Sequence, residues 1–510
     1  MKETRRDFIK KTGGCALGMV SLATSMQHMG ALSAMAQKVI DSGEGGADYK
    51  ALVCIFLSGG NDANNMIVPN HMDANVSNWS AYNTTRGSLA YAQTALDPTN
   101  VSVANIGGLT YALHPSFAGA TTGIHPLYGQ GKLAVVCNVG TLARPMSKTQ
   151  FQNNSVLKPY QLFSHSDQVN QAQTSVSSTQ AFTGWGGRLA DKLNLANNPN
   201  GLIPMVTSIS GAQLFTAGQI TLPMAIGSAN TNAGNNLQTI LDPAGYSPVT
   251  STTTARLTGF NALRTQDLDS SYIAAASHVT DLAVQAGTAL HGSQDVTTVF
   301  PNTNLGRQLK QVARLIKSKD SLNINRQVFY VQAGSFDTHT GQGGGGVPAG
   351  TQVTLLTEVS QAMRAFWDEL GVQGVQNNVT AFTLSDFCRT LQSSGTGASL
   401  GSDHAWGGHM LVMGGAVNGG NFYGSYRNNT GVPGSPSMGD LYPTLGFGSG
   451  SPDDIDQGSN PRGRWLPTTS VDQYAVRLAR WFGLAPADEA AVFPNLQYFD
   501  DTRSVLNFMQ

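Results

Sequence analysis

Five runs constrain the fold most: "ALVCIFLSGG" (51–60), "KLAVVCNVG" (132–140), "RQVFYVQAG" (326–334), "NVTAFTLSD" (378–386) and "HMLVMGGAV" (409–417). Most are continuously apolar rather than alternating. A strand with one wet face alternates, whereas a strand covered on both faces does not. The runs therefore read as strands of a mostly parallel sheet. Helical patterns lie between and after them. "NLGRQLKQVARLIKSK" (304–319) sets Leu305, Leu309, Val312 and Ile316 on one face, and 354–371 does the same with Leu355, Val359, Met363, Phe366 and Leu370. A third helix is expected over 471–484. Strand, helix, strand in succession predicts a doubly wound α/β fold, with a central sheet sandwiched by helices.

Residues 206–300 break this rhythm. They are rich in Thr, Ser, Asn, Ala and Gly and show no sharp period, so they read as a mixed insertion or cap. Charged residues make up only 12% of the chain and the net charge is −1. No basic stripe crosses the body of the chain, which argues against nucleic acid as a partner. Cys54, Cys137 and Cys388 have no metal-finger spacing, and Cys54 and Cys137 sit inside strand runs as small buried hydrophobes.

The N-terminus carries a different message. "TRRDFIKKTGG" is followed by a weakly apolar, small-residue stretch and then Ala34-Met35-Ala36. Paired arginines, an apolar run and a small-x-small site in that order look like a twin-arginine export signal over residues 1–36, read by the twin-arginine machinery. Residues 37–510 would then be a periplasmic or secreted domain with no integral membrane segment.

In open α/β sheets ligands bind beyond the carboxyl ends of the strands. After the first run come Asp62, Asn64 and Asn65. After the third come Asp337, His339 and Gln342, and after the fourth Asp386 and Arg389. Asp403, His404 and His409 lie just before or at the start of the fifth. Each alone has a plain alternative as a turn residue or helix cap. Together they point to a divalent metal. Mixed carboxylate and imidazole donors suit zinc, manganese or iron rather than calcium or magnesium, as one ion or a pair. "LFSHSDQVNQ" (162–171) offers Ser164 ahead of a helix, either as a nucleophile or as a simple N-cap. Arg389 is a candidate clamp for an anion or a capping arginine. Trp406 either walls the site or packs beside it.

The motifs "FLSGGNDANNMIVP", "LFSHSDQ", "GWGGRLAD", "SFDTHTGQ", "LSDFCRT", "GSDHAWGGHMLVMGGAVNGG" and "RGRWLPTTSVDQYAVRLARWFG" resemble, in order from about residue 50 to the C-terminus, domain-of-unknown-function family 1501. That family is grouped with the alkaline-phosphatase-like superfamily. The resemblance implies a metal site at the strand ends, with Asp62, Asp337, His339, Asp386 and His404 or His409 as ligands and Ser164 as nucleophile. Asp337 and His339 are two residues apart where the superfamily commonly has four. Asp386 precedes Phe387 rather than a His, so Asp403-His404 would supply the missing pair. The implied activity is a metal-dependent hydrolase of phosphate or sulfate esters, with a small anionic ester or a glycan as its substrate. The rival is a non-catalytic exported protein in which the same residues hold a structural metal.

Overall fold

The computed structural model describes residues 48–229, 251–274, 276–278, 280–281, 295–344, 349–426, 441–499 and 504–510. The segment expected as an export signal, 1–36, lies outside the described residues.

Ten strands among the described residues make the main sheet. They are β1 (Lys50–Leu57), β2 (Leu133–Gly140), β3 (Val206–Ser208), β4 (Met224–Ala225), β5 (Arg326–Ala333), β6 (Val379–Ser385), β7 (Gly408–Gly414), β8 (Phe422–Ser425), β9 (Thr469–Ser470) and β10 (Ser504–Val505). Their order across the sheet is β10-β8-β2-β7-β6-β1-β5-β3-β4, with β9 beside β2. Strand β1 runs parallel to β5 and β6. Only β7 runs against its neighbours in the middle of the sheet, antiparallel to both β2 and β6. This single reversal matters for the site. The C-terminal ends of β1, β2, β5 and β6 share a rim with the N-terminal end of β7.

Burial explains the continuous apolar runs. In β1, Ala51, Val53, Ile55 and Leu57 face one core, while Leu52, Cys54 and Phe56 face the other. Helices α3 (Asn304–Lys317) and α4 (Thr351–Val372) close the first face. Helices α1 (His165–Thr174), α2 (Trp185–Asn197) and α5 (Val471–Phe482) lie on the second. Thr303 caps α3 by accepting from the Gly306 N–H, and Leu305, Leu309, Val312 and Ile316 are all fully buried. Helix α5 starts at a reciprocal capping box between Ser470 and Gln473. Cys54, Cys137 and Cys388 are free and buried. No helix among the described residues is long and apolar enough to cross a membrane.

The 206–300 segment begins inside the sheet, because β3 and β4 extend its edge beyond β5. A helix at Ser251–Arg264 follows, and residues 230–250 and 282–294 lie outside the described residues. Strands of three and two residues carry too few apolar positions to stand out in a polar stretch.

Leu309→Ala removes a side chain buried between α3 and the sheet. It should cost about 2–5 kcal/mol of stability in a denaturant titration, whereas exposed Lys317→Ala should stay within about 0.5 kcal/mol.

Candidate metal centre

The rim is built by backbone first. Gly59 and Gly60 follow β1 with φ of +113° and +83°, and their N–H groups donate to Asp386 Oδ1 at 3.0 and 2.9 Å. A Cβ on Gly59 would lie 2.4 Å from the Asp337 nitrogen, so only glycine fits there. Asp386, directly after β6, is thereby fixed, and its Oδ2 accepts from His165 Nδ1 at 2.7 Å. His165 opens α1. On the far side of the reversed strand, His404 precedes β7 and donates through Nδ1 to the Phe163 carbonyl at 2.8 Å. His339 follows β5 and sets Nδ1 against Asp403 Oδ1 at 3.1 Å.

With each Nδ1 committed to an oxygen acceptor, each Nε2 points inward. His404 Nε2 lies 3.1 Å from His165 Nε2 and 2.9 Å from His339 Nε2. Asp337 Oδ1 lies 3.5, 3.1 and 3.4 Å from the Nε2 atoms of His165, His339 and His404. Burial and the neighbouring cations hold His404 below the usual imidazole range, despite the opposing bond to Phe163. Neutral and donating through Nδ1, it must present a lone pair at Nε2. The hydrogen bond to Asp386 raises His165. Partial burial pushes Asp337 up, but the Arg389 guanidinium and the imidazoles outweigh it and leave the carboxyl below its usual range.

Lone pairs facing one another at 3 Å require a proton or a cation between them. A tetrahedral ion with bonds of about 2.0–2.1 Å holds its donors about 3.3 Å apart, close to the spacings seen here. Among the described residues His165, Asp337 and His404 form a group that could hold a metal, and His339 adjoins it on the exposed side. Asp386 and Asp403 act behind the imidazoles, as carboxylates do when they fix the tautomer of a metal-binding histidine. The donor set therefore fits a divalent metal.

Several expectations need correcting. Asp386 and Asp403, expected as ligands, orient His165 and His339 instead, and Asp403 Oδ2 also pairs with Arg462 at 2.5 Å. Asp62 is not in the group. It is fully buried, with Oδ1 accepting from Asn64 and Oδ2 from Arg86 and Gln342. A guanidinium occupies the place expected of a metal. Asp62 is linked to the centre indirectly, for example from Gln342 to Ser402, from the Ser402 carbonyl to Arg389, and from Arg389 Nη1 to Asp337 Oδ1 at 2.7 Å. Arg389 is itself buried, so the anion it clamps is Asp337, not a substrate. His409 points away into the core, stacked on Tyr442 with ring centroids 5.0 Å apart, and burial pushes its pKa down to about 3. Ser164 stands at the N-cap of α1, but its Oγ donates to Asp167 at 2.6 Å rather than turning to the donors. Trp406 is packed, with Nε1 on the Thr141 carbonyl.

His165 was missing from the expected ligands, although its motif was noted for Ser164. The available signal was its place beside Ser164 at the start of the helix expected after "LFSHSDQ".

Two outcomes follow. Asp386→Asn removes the partner that raises His165, so proton competition for metal should move to lower pH. In the wild type, metal affinity should fall as pH drops through a midpoint above the ordinary imidazole value; in Asp386→Asn that midpoint should be lower, as read by metal titration at several pH values. Asp62→Ala leaves Arg86 buried without its counter-charge, although Asn65 and the Thr390 and Leu391 carbonyls still accept from it. The substitution should cost roughly 3–5 kcal/mol in denaturation while the folded protein keeps its metal stoichiometry.

Among solved structures, the chain aligns with the PsFucS1 sulfatase from Pseudoalteromonas sp. at 8% identity and a TM-score of 0.26, covering 78% of this chain and 68% of that one. It also aligns with the lipoteichoic acid synthase LtaP from Listeria monocytogenes at 11% identity and a TM-score of 0.26, covering 83% and 78%. No curated protein sequence is a significant match. The model of the family described as "Protein of unknown function (DUF1501)" matches residues 49–433, and the chain belongs to that family.

Proposed function

We propose that the chain is an exported, metal-dependent hydrolase of phosphate or sulfate esters. The observation that carries this reading is the convergence of three imidazole Nε2 atoms and Asp337 Oδ1 on one exposed point of the sheet rim. His165, His404 and Asp337 would hold the ion, with a position left open beside exposed His339, and zinc or manganese is the best match to nitrogen-rich donors. A bound divalent ion would polarise an ester oxygen and lower the pKa of a water.

The chain's own groups favour catalysis over a closed structural site. The side chains of Asp337 and His339 are each 44% exposed, which leaves one side of the donor group open. Structural zinc sites are closed by four protein ligands and shut off from solvent, whereas catalytic ones keep a position free. The charge balance favours an anionic ester. Arg389 pairs with Asp337 and Arg462 with Asp403, so much of the rim's negative charge is neutralised before any ion arrives. The ion's own charge is then left to attract an anion. His165 and His404 are kept in place by Asp386 and the Phe163 carbonyl, and Phe387 packs against both rings at centroid distances of 4.6 and 4.7 Å. With Ser164 bonded to Asp167, a water is the better nucleophile in this arrangement. Export rests on the paired arginines and the apolar run of residues 1–36.

The test is metal content and turnover together. The full chain, loaded with zinc or manganese, should hydrolyse an aryl phosphate or an aryl sulfate. His404→Ala and Asp337→Ala should lose both the metal and at least about 100-fold in kcat/KM, and Ser164→Ala should keep kcat within about tenfold. Bound metal with no turnover on either ester class would favour the non-catalytic reading.

A further inference from the structure

A cavity of about 940 Å³ opens on the same sheet rim, beyond β2 and β9, and takes no part in the metal centre. Its lining includes the apolar Leu142 and Leu466 and the aromatic Tyr498 and Phe499. Leu142, Leu466 and Phe499 belong to a small hydrophobic cluster that also takes in Phe163 and Trp406. Phe163 is the residue whose carbonyl holds His404. The cavity lining and the residue that orients His404 thus share one side-chain cluster.

The chemistry of the lining is selective. Most of its polar groups are hydroxyls and amides. Asp453 is buried and accepts from the Thr444 N–H, and Lys148 is held by the Gly448 and Ser451 carbonyls. Thr468 Oγ1 is buried with no partner among the described residues. The nearby arginines turn elsewhere: Arg464 pairs with Asp456, and Arg144 stacks on Tyr498 with its guanidinium 3.1 Å from the ring centroid. Arg144 does not line the cavity, and its contact restrains the Tyr498 ring. A restrained, exposed aromatic ring among mostly uncharged donors and acceptors matches a flat polyol whose C–H face stacks on the aromatic while its hydroxyls hydrogen-bond.

We propose that this cavity binds neutral sugar residues of an oligosaccharide whose ester group meets the metal centre. The proposal rests on the ester-hydrolase reading and adds the body of the substrate to it. The cavity lining and the donor group share no residue, so a substrate that reaches both is longer than one sugar.

Binding can be read without turnover. The metal-loaded full chain is titrated calorimetrically with malto-, cello-, laminari- and N-acetylchitohexaose. At least one should bind, and Tyr498→Ala, at a residue 40% exposed, should weaken it by about tenfold or more, while Tyr498→Phe should stay within about twofold. Unchanged metal content in each variant shows that the fold and the centre are intact. No binding by any of the four sugars, or equal binding by Tyr498→Ala, overturns the proposal. Hydrolysis of the small aryl esters is measured separately. If turnover is present and sugar binding absent, the cavity assignment falls alone; if sugar binding is present and turnover absent, the hydrolase reading falls and the cavity remains a sugar site.

Discussion

The hydrogen bond from His404 Nδ1 to the Phe163 carbonyl governs more than one ring. A carbonyl oxygen can only accept, so the proton must sit on Nδ1 and the lone pair of the neutral ring on Nε2. His165 and His339 are placed by the same logic, with carboxylates in place of the carbonyl. The outer nitrogens spend their protons on the protein, and the inner nitrogens are left to meet one another. Remove those three outer acceptors and the rings could turn, donate to each other, and lose the inward convergence that makes a metal site.

The reversal of β7 is what allows these groups to meet. In a wholly parallel sheet the segment before a strand lies at the opposite rim from the segment after its neighbours. Because β7 runs against β6 and β2, the loop carrying Asp403 and His404 arrives where Asp337, His339 and Asp386 leave β5 and β6. The sheet supplies the other half of the constraint. Its strands are buried on both faces, so functional polar groups are confined to the rim.

That confinement is also why much of the architecture was readable. The five long apolar runs became β1, β2, β5, β6 and β7 within one or two residues at their starts, because burial on both faces leaves an unbroken pattern. The periodic faces of α3, α4 and α5 were equally plain. Short β3 and β4 left no pattern, and the direction of β7 is not encoded in any local periodicity. In the site, Asp337, His339 and His404 were identifiable as polar residues at strand ends. Partner choice was not. Whether the carboxylate after β1 meets a metal or an arginine depends on Arg86, 24 residues further on, and on Gln342, brought in by the fold. His409 lies only five residues beyond His404, yet β7 carries it past the rim into an aromatic layer. His165 escaped notice because the serine beside it drew the chemistry.

Backbone conformation offers a last step. Gln161 and Phe163 have φ of +46° and +70°, and Ser335 has +72°, all in the left-handed region without being glycine. Such residues cost on the order of 1 kcal/mol or more each. They lie just before His165 and Asp337, in the two loops that deliver the donors from different sides of the rim. Local propensity does not favour these loops, and neither does the mutual approach of the Nε2 lone pairs at the centre. Both terms oppose the observed arrangement, and binding of a cation would offset both at once. The free energy of metal binding would then be stored in the geometry of 161–165 and 335–339, so that the shape of the rim and the occupancy of its donors depend on each other.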